Sequence, residues 1–376
     1  MFNFKQYNFR NLNVTLVVIV TILCSISALA IKLSGGESLF KKQIFGLILG
    51  LCVVAVVALL DYHFIARFAV IYYGIIIILL VLTRFSPLGT DNNTSSYRWI
   101  DLGPLQLQTS ELAKITIIIV LAVLFVSLEE RMEKVGTLFI AGILTMIPTS
   151  LILVQSDLSS SLVMIFILCI MVFAAGISYK IVATVLGISV PTIVLFFWYI
   201  MQPGQTLLRE YQLERIIGFM DPYKYKSGSM YQQLNSIQAI ATGRLYGKMM
   251  SDGSTSVRGY NSVGVNESDF IWSVIGEEFG FLGCCLILLL LAIIIFTCLS
   301  IARRAKDRLG RLIAIGISSM FMFQIFANIG VATMILPNTG LPLPFLSYGL
   351  SSLISSMIAI GLILNISLQQ KNNVRG

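Results

Sequence analysis

Asp269 lies in Asn266-Glu267-Ser268-Asp269-Phe270-Ile271, where a long polar segment runs into an apolar one, with Glu277-Glu278 shortly after. A carboxylate at a lipid–water boundary is partly desolvated, and nearby arginine or lysine sets its protonation state. Such a group could act as general base on a substrate with its head in water and its tail in lipid. The structural alternative is a helix cap favoured by the helix dipole.

Other charges stand beside or within apolar runs, where insertion costs roughly 2.5–3.5 kcal/mol each. In Thr109-Ser110-Glu111-Leu112-Ala113-Lys114 the i, i+3 spacing lets Glu111 and Lys114 meet on one helix face. The pair reads equally as an internally neutralised structural pair or as part of a site. Asp157, in Gln155-Ser156-Asp157-Leu158, falls in a short turn and reads first as an N-cap. The segment 202–268 carries Arg209, Arg215, Lys224, Lys226, Arg244, Lys248 and Arg258, seven cations against five acids before Asp269. A cationic surface over lipid suits a phosphate-bearing head group, which arginine binds bidentately; the alternative is a solvated loop of mixed charge.

These residues must be held by a chain that is 57% hydrophobic and only 12% charged, with 26 Lys and Arg against 18 Asp and Glu. An ordinary soluble domain has roughly 25% charged residues, and disordered chains are poor in apolar ones. With mean hydropathy +0.88, the chain reads as an all-α, polytopic membrane protein. The net charge of +8 is scattered along the chain, which argues against nucleic acid. The six cysteines lie in apolar runs and read as small buried hydrophobes; with His63 the only histidine, no zinc spacing exists.

Ten stretches are long and apolar enough to span lipid: 13–32, 42–60, 67–83, 111–128, 136–154, 160–177, 180–201, 270–299, 311–336 and 346–368. Ala28-Leu29-Ala30 resembles a signal cleavage site, but nine further spans favour an uncleaved first helix. With the N-terminus inside, the inner segments hold 13 Lys and Arg; the outer ones hold 6 once the long 202–268 segment is discounted. Both termini are therefore expected in the cytoplasm. The chain reads as one integral membrane domain, 1–376, with 202–268 as a large extracytoplasmic loop. In that loop Leu213, Ile216, Ile217 and Met220, then Met230, Leu234, Ile237 and Ala241, recur at helical spacing. They predict two amphipathic helices at the outer membrane surface.

Several separated motifs resemble the SEDS family, the RodA/FtsW/SpoVE proteins of bacterial shape, division and sporulation. They are Arg98-Trp99-Ile100 with Gln108-Thr109-Ser110-Glu111-Leu112-Ala113-Lys114; Gln155-Ser156-Asp157-Leu158; Glu214-Arg215-Ile216 with Asp221-Pro222; Gln232-Gln233-Leu234-Asn235-Ser236; Ser268-Asp269-Phe270-Ile271 with Gly276-Glu277-Glu278; and Asn328-Ile329-Gly330, running into the segment 336–349. The resemblance implies a peptidoglycan glycosyltransferase of the bacterial cytoplasmic membrane that polymerises lipid II, with ten spans and a large loop between the seventh and eighth. It further implies that Asp269 is essential and that a class B penicillin-binding protein is the partner. Asp269 would then take the proton of the acceptor sugar's 4-hydroxyl, while Arg215, with other loop cations or a divalent ion such as Mg or Mn, would stabilise the departing polyprenyl diphosphate. Arg98, Trp99, Glu111, Lys114, Asp157, Arg215 and Lys248 are the candidate substrate-binding residues.

The chain departs from the family pattern at Ser156, Ser159, Met249 and Leu350, and at Glu267, where a histidine is usual. A second carboxylate two residues from Asp269 would raise the apparent pKa of the pair. Two rival roles are a lipid II flippase or transporter, and a non-catalytic scaffold for the penicillin-binding protein. The short N-terminus and lack of long cytoplasmic tails favour a RodA-like elongation role.

Overall fold

The computed structural model describes residues 7–87, 89–90, 98–101, 106–131, 134–202, 205, 210–228, 230–251 and 257–370. The first helix, α1 (Val14–Leu59), has 46 residues, which at 1.5 Å each would run about 70 Å, twice a bilayer's thickness. It is not one span. Gly36, with φ 78° and ψ −175°, reverses the chain, and Gln43 Nε2 donates to Ser27 Oγ at 3.0 Å across the hairpin. The arms 14–35 and 37–59 are the first two predicted spans.

After the short α2 (Tyr62–Arg67) come α3 (Ala69–Phe85), α4 (Thr109–Ser127), α5 (Val135–Val154), α6 (Leu158–Ala174) and α7 (Tyr179–Ile200). The segment 202–268 contributes α8 (Glu210–Met220), α9 (Tyr231–Thr242) and α10 (Lys248–Ser251), followed by α11 (Ile271–Arg303), α12 (Arg308–Ala332) and α13 (Leu350–Leu368). Between α3 and α4 a small antiparallel sheet runs β1 (Gly89–Thr90), β2 (Trp99–Asp101), β3 (Gln106–Gln108), with Trp99 opposite Gln108. Each of the ten apolar stretches finds a helical segment, and the protein is an all-α polytopic membrane protein.

Lipid tails are as apolar as leucine, so helices associate by close packing rather than by hydrophobic exclusion. Small residues supply the approach here. A Cβ on Gly316 of α12 would lie 2.6 Å from Ile118 of α4, and one on Gly361 of α13 would lie 2.7 Å from Val57 of the hairpin. Large exposed side chains such as Phe139, Ile143 and Ile147 on α5, or Phe281, Leu286 and Phe296 on α11, form the lipid-facing exterior. Cys24, Cys284 and Cys298 are buried as expected, but Cys52, Cys169 and Cys285 are exposed on that exterior, where a small apolar residue is equally at home.

Three expectations are corrected. The stretch 270–299 is not one span, since α11 breaks at Gly280 (φ 66°, ψ −168°). Its first part, 271–279, is enclosed by protein, and the lipid-facing helix starts with Phe281 and Leu282. The break is held from outside: Phe281 N donates to Arg244 O at 2.9 Å and Leu282 N to Leu245 O at 3.2 Å. Second, α12 ends at Ala332 and α13 begins at Leu350, leaving 333–349 as irregular backbone. Irregular backbone enclosed by protein survives only where its polar groups are satisfied. Gln233 Nε2 donates to Val331 O (3.0 Å) and Leu336 O (2.8 Å), and Ser236 Oγ to Ala332 O (2.8 Å). Third, that duty turns the buried face of α9: Gln233, Ser236 and Ala239 are buried, while of the expected apolar face Met230 is buried, Leu234 and Ile237 are half-buried and Ala241 is exposed.

Candidate functional site

Asp269 sits on the turn that ends the 202–268 segment and enters the enclosed part of α11, outside the spanning segments. The turn is pinned on both sides. Asn328 Nδ2 on α12 donates to Asp269 O at 2.8 Å and to Leu341 O at 2.7 Å, and Ser347 Oγ donates to Ser268 O at 2.5 Å. Tyr348 N donates to Glu267 O at 2.8 Å. The irregular segment 333–349 thus wraps the turn. Its Gly340 has φ 72°, and a Cβ there would stand 3.1 Å from Asp269 Oδ2. Glycine is needed twice over at that position, for the left-handed backbone and for room beside the carboxylate.

The start of α6 closes the opposite side. Asp157 caps α6, accepting from Ser160 N at 3.0 Å, and accepts from Ser110 Oγ of α4 at 3.2 Å. Ser159 Oγ donates to Thr339 O, beside Gly340. Next to Ser110, Glu111 Oε1 takes Lys114 Nζ at 2.7 Å and Glu111 Oε2 takes Ser355 Oγ at 3.0 Å. The pair is enclosed, with Lys114 0% and Glu111 2% exposed. Arg98 enters from the strand side, donating from Nη2 to Ser156 O at 2.6 Å. Trp99 lies in β2, half-buried, and carries Arg98 to this place through its pairing with β3.

The structure therefore gathers Arg98, Asp157, Glu111 and Lys114 on the α4–α6 side of Asp269. Lys248 is not among them. It ion-pairs with Glu277 Oε1 at 2.5 Å and donates to Val257 O at 3.0 Å, at the far end of the enclosed helix. Arg258 pairs with Glu278 through Nε at 2.7 Å and Nη2 at 3.2 Å, and Tyr260 donates to the same carboxylate at 2.9 Å. These bonds hold the long loop onto 271–279. Lys248 is thus taken up in fastening the loop, at a distance from the gathered groups. Arg215 falls on α8, and its side chain lies outside the described residues.

Burial pushes the Asp269 carboxyl up to about 6, and the negative charges of Asp157 and Glu267 add to the rise. Arg98 and a bond from Ser268 oppose it. A carboxyl so poised is mostly ionised at neutral pH, yet binds a proton more readily than an ordinary carboxylate, as a general base requires. Among the described residues, no three His, Cys, Asp or Glu side chains gather as ligands for a metal. The described residues do not form a protein cage for Mg or Mn.

Several supporting residues have no role legible in the motifs. Asn328 and Gly340 fall in recognised segments, yet nothing in their spacing points to the Asp269 turn. Ser355 and Tyr260 carry no signal at all, because their partners are 244 and 18 residues away in sequence.

The profile of the FtsW/RodA/SpoVE family, described as "Cell cycle protein", matches residues 7–372. A probable peptidoglycan glycosyltransferase FtsW of Geobacter sp. (strain M18) is 31% identical over 94% of this chain and 93% of its own length. The peptidoglycan glycosyltransferase MrdB of Escherichia coli K12 is 30% identical over 96% of this chain and 95% of its own. Among solved structures, a chain of a peptidoglycan synthase complex that coordinates polymerization and crosslinking superposes with TM-score 0.77 at 28% identity, covering 96% of this chain and 97% of that one. The rod shape determining protein RodA of Thermus thermophilus superposes with TM-score 0.67 at 25% identity, covering 98% of each.

Proposed function

This chain belongs to the FtsW/RodA/SpoVE family, and from that premise and the site geometry we propose that it is a peptidoglycan glycosyltransferase using Asp269 as general base. The substrate is lipid II. Both sugars ride on membrane-anchored carriers, so the protein meets them already oriented at the outer surface. Asp269 takes the proton of the acceptor's 4-hydroxyl as its oxygen attacks the donor's anomeric carbon. The bond to the polyprenyl diphosphate breaks on the opposite face, and the anomeric centre inverts. Arg98 at the site, with Arg215 on α8, meets the negative charge that develops on the leaving diphosphate.

The observation that carries this reading is the Asp269 carboxyl itself. It is half-buried at the lipid–water boundary, makes no ion pair among the described residues, and is pushed up to about 6. Likeness to a chain of a polymerising and crosslinking complex supports a second component, a class B penicillin-binding protein, as partner. The excess of inner Lys and Arg supports an orientation with both termini in the cytoplasm.

The test is polymerisation of labelled lipid II by purified protein in detergent. Asp269→Asn keeps shape and removes the base, and a loss of about a hundredfold or more is expected. Strand synthesis at the unaltered rate by a variant that melts like the parent would overturn the assignment. Transbilayer movement of lipid II without polymer would favour a flippase instead.

A further inference from the structure

The cytoplasmic end of α11 carries a different kind of site. A cavity of about 770 Å³ opens between α11 and α12, lined by Phe296, Leu299, Ser300, Arg303, Arg311 and Ile315. On the other side of the same helix end, a second cavity of about 430 Å³ is lined by Arg10, Asn13, Ser300, Arg304 and Gln370 among others. Ser300 borders both, so four arginines surround one helix end.

These arginines are exposed and form no ion pair among the described residues. Their neighbours are occupied. Arg308 pairs with Glu129 and donates to Ala175 O, and Asp307 is taken by His63, Tyr62 and Gly310 N. Two turns before Arg303, about 10 Å along the axis, Phe296 stands 69% exposed. The larger cavity is thus an apolar wall that ends in two guanidinium groups.

We propose that this end of α11 binds an anionic phospholipid. Its acyl chain lies along Phe296, Leu299 and Ile315, and its phosphate sits between Arg303 and Arg311. Guanidinium groups offer a phosphate paired donors, and basic pockets between spans at the cytoplasmic side select anionic head groups. Arg10 and Arg304 hold the remainder of the head group across Ser300. Only the choice of leaflet rests on the proposed orientation.

The full-length protein in neutral detergent is examined by native mass spectrometry with phosphatidylglycerol or phosphatidylcholine of matched chains. Selective retention of phosphatidylglycerol is expected. Arg303→Gln/Arg311→Gln should lower that preference about twenty-five-fold, about five-fold for each arginine. Lys41→Gln/Lys42→Gln, removing two charges at the opposite end of the bundle, should leave it unchanged. Equal retention of both lipids by the parent, or equal loss in the two double variants, overturns the proposal. So does occupation of the cavity by a spanning helix of a co-purifying protein that excludes lipid. Binding in detergent is independent of sidedness, so labelling of Ala305→Cys in intact cells tests the orientation separately.

Discussion

Breaking the Glu111–Lys114 pair from one side should cost far more than removing both charges. Nζ and Oε1 are 2.7 Å apart, with the side chains 0% and 2% exposed. At an effective dielectric of about 20, two unit charges at that distance attract by about 6 kcal/mol. Taking each charge out of water costs several kcal/mol, so the net contribution of the intact pair is small. A single substitution leaves the desolvation cost without the attraction. Glu111→Gln, which keeps the volume and an acceptor for Ser355, should still destabilise by about 3–5 kcal/mol because Lys114 is left alone. Lys114→Met should cost a similar amount.

The double variant Glu111→Gln/Lys114→Met should fall within about 2 kcal/mol of the parent, because no charge remains to be desolvated. Equilibrium unfolding of the four proteins in detergent, followed by tryptophan fluorescence, closes the cycle. Singles as stable as the parent, or a double variant that loses the sum of the two singles, would refute the reasoning. Lipid II polymerisation by the double variant then separates the two readings of the pair. If stability returns with activity, the pair is structural. If stability returns and polymer does not, the charges act on substrate through the Ser110–Asp157 side of the site.

Three further outcomes follow from the same geometry. The polymerisation rate should fall as pH drops through about 6, where Asp269 takes up its proton; Arg98→Gln, which removes a charge favouring the carboxylate, should move that limb to higher pH. A rate flat from about pH 5 to 7 would count against Asp269 as the base. Gly340→Ala meets both a left-handed backbone, costing roughly 1–2 kcal/mol, and a Cβ 3.1 Å from Oδ2; the rate should drop about tenfold or more in a protein that still folds, and an unchanged rate would show that the carboxylate is not confined there. On the α2 side of the bundle, Asp307 and Asp61 raise the His63 pKa against the opposing effect of burial. Its stabilising effect is therefore full below the unfolded value of about 6.5 and is lost as pH rises through the raised folded value. With the side chain 41% exposed, the contribution should stay below about 1 kcal/mol, and His63→Gln should abolish this pH dependence of the melting temperature.

Much of this architecture is legible from residues alone because lipid imposes a simple length rule. The hairpin is visible as two apolar runs around Gly35-Gly36, and the Asp269 turn as a carboxylate at a polar–apolar boundary. The break at Gly280 has only an indirect trace, Glu277 and Glu278 just before a wholly apolar run. The neighbour also differs, protein before the break and lipid after it, and residue type alone does not show that the helix is interrupted between them. The face of α9 misleads for a related reason. Its polar side chains are turned inward to serve the carbonyls of Val331, Ala332 and Leu336, a demand created 96 or more residues away. Lys248 follows the same logic, because its attachment to Glu277 depends on the loop returning over 271–279.

The carboxylates around α11 show why residue type and position do not by themselves assign chemistry. Glu277 is 0% exposed and accepts from Lys248, Thr242, Gly259 N and Tyr260 N. Glu278 accepts two bonds from Arg258 and one from Tyr260. Carboxylates engaged in this way are taken up in fastening the loop rather than left facing a substrate. Asp269, eight residues before Glu277, is fixed through its backbone by Asn328 rather than through its carboxyl. The turn is held while the carboxyl makes no ion pair among the described residues, with burial first and two nearby acids after it raising its pKa and one arginine opposing them. A base must be positioned without being neutralised, and of these three acids only Asp269 meets both conditions.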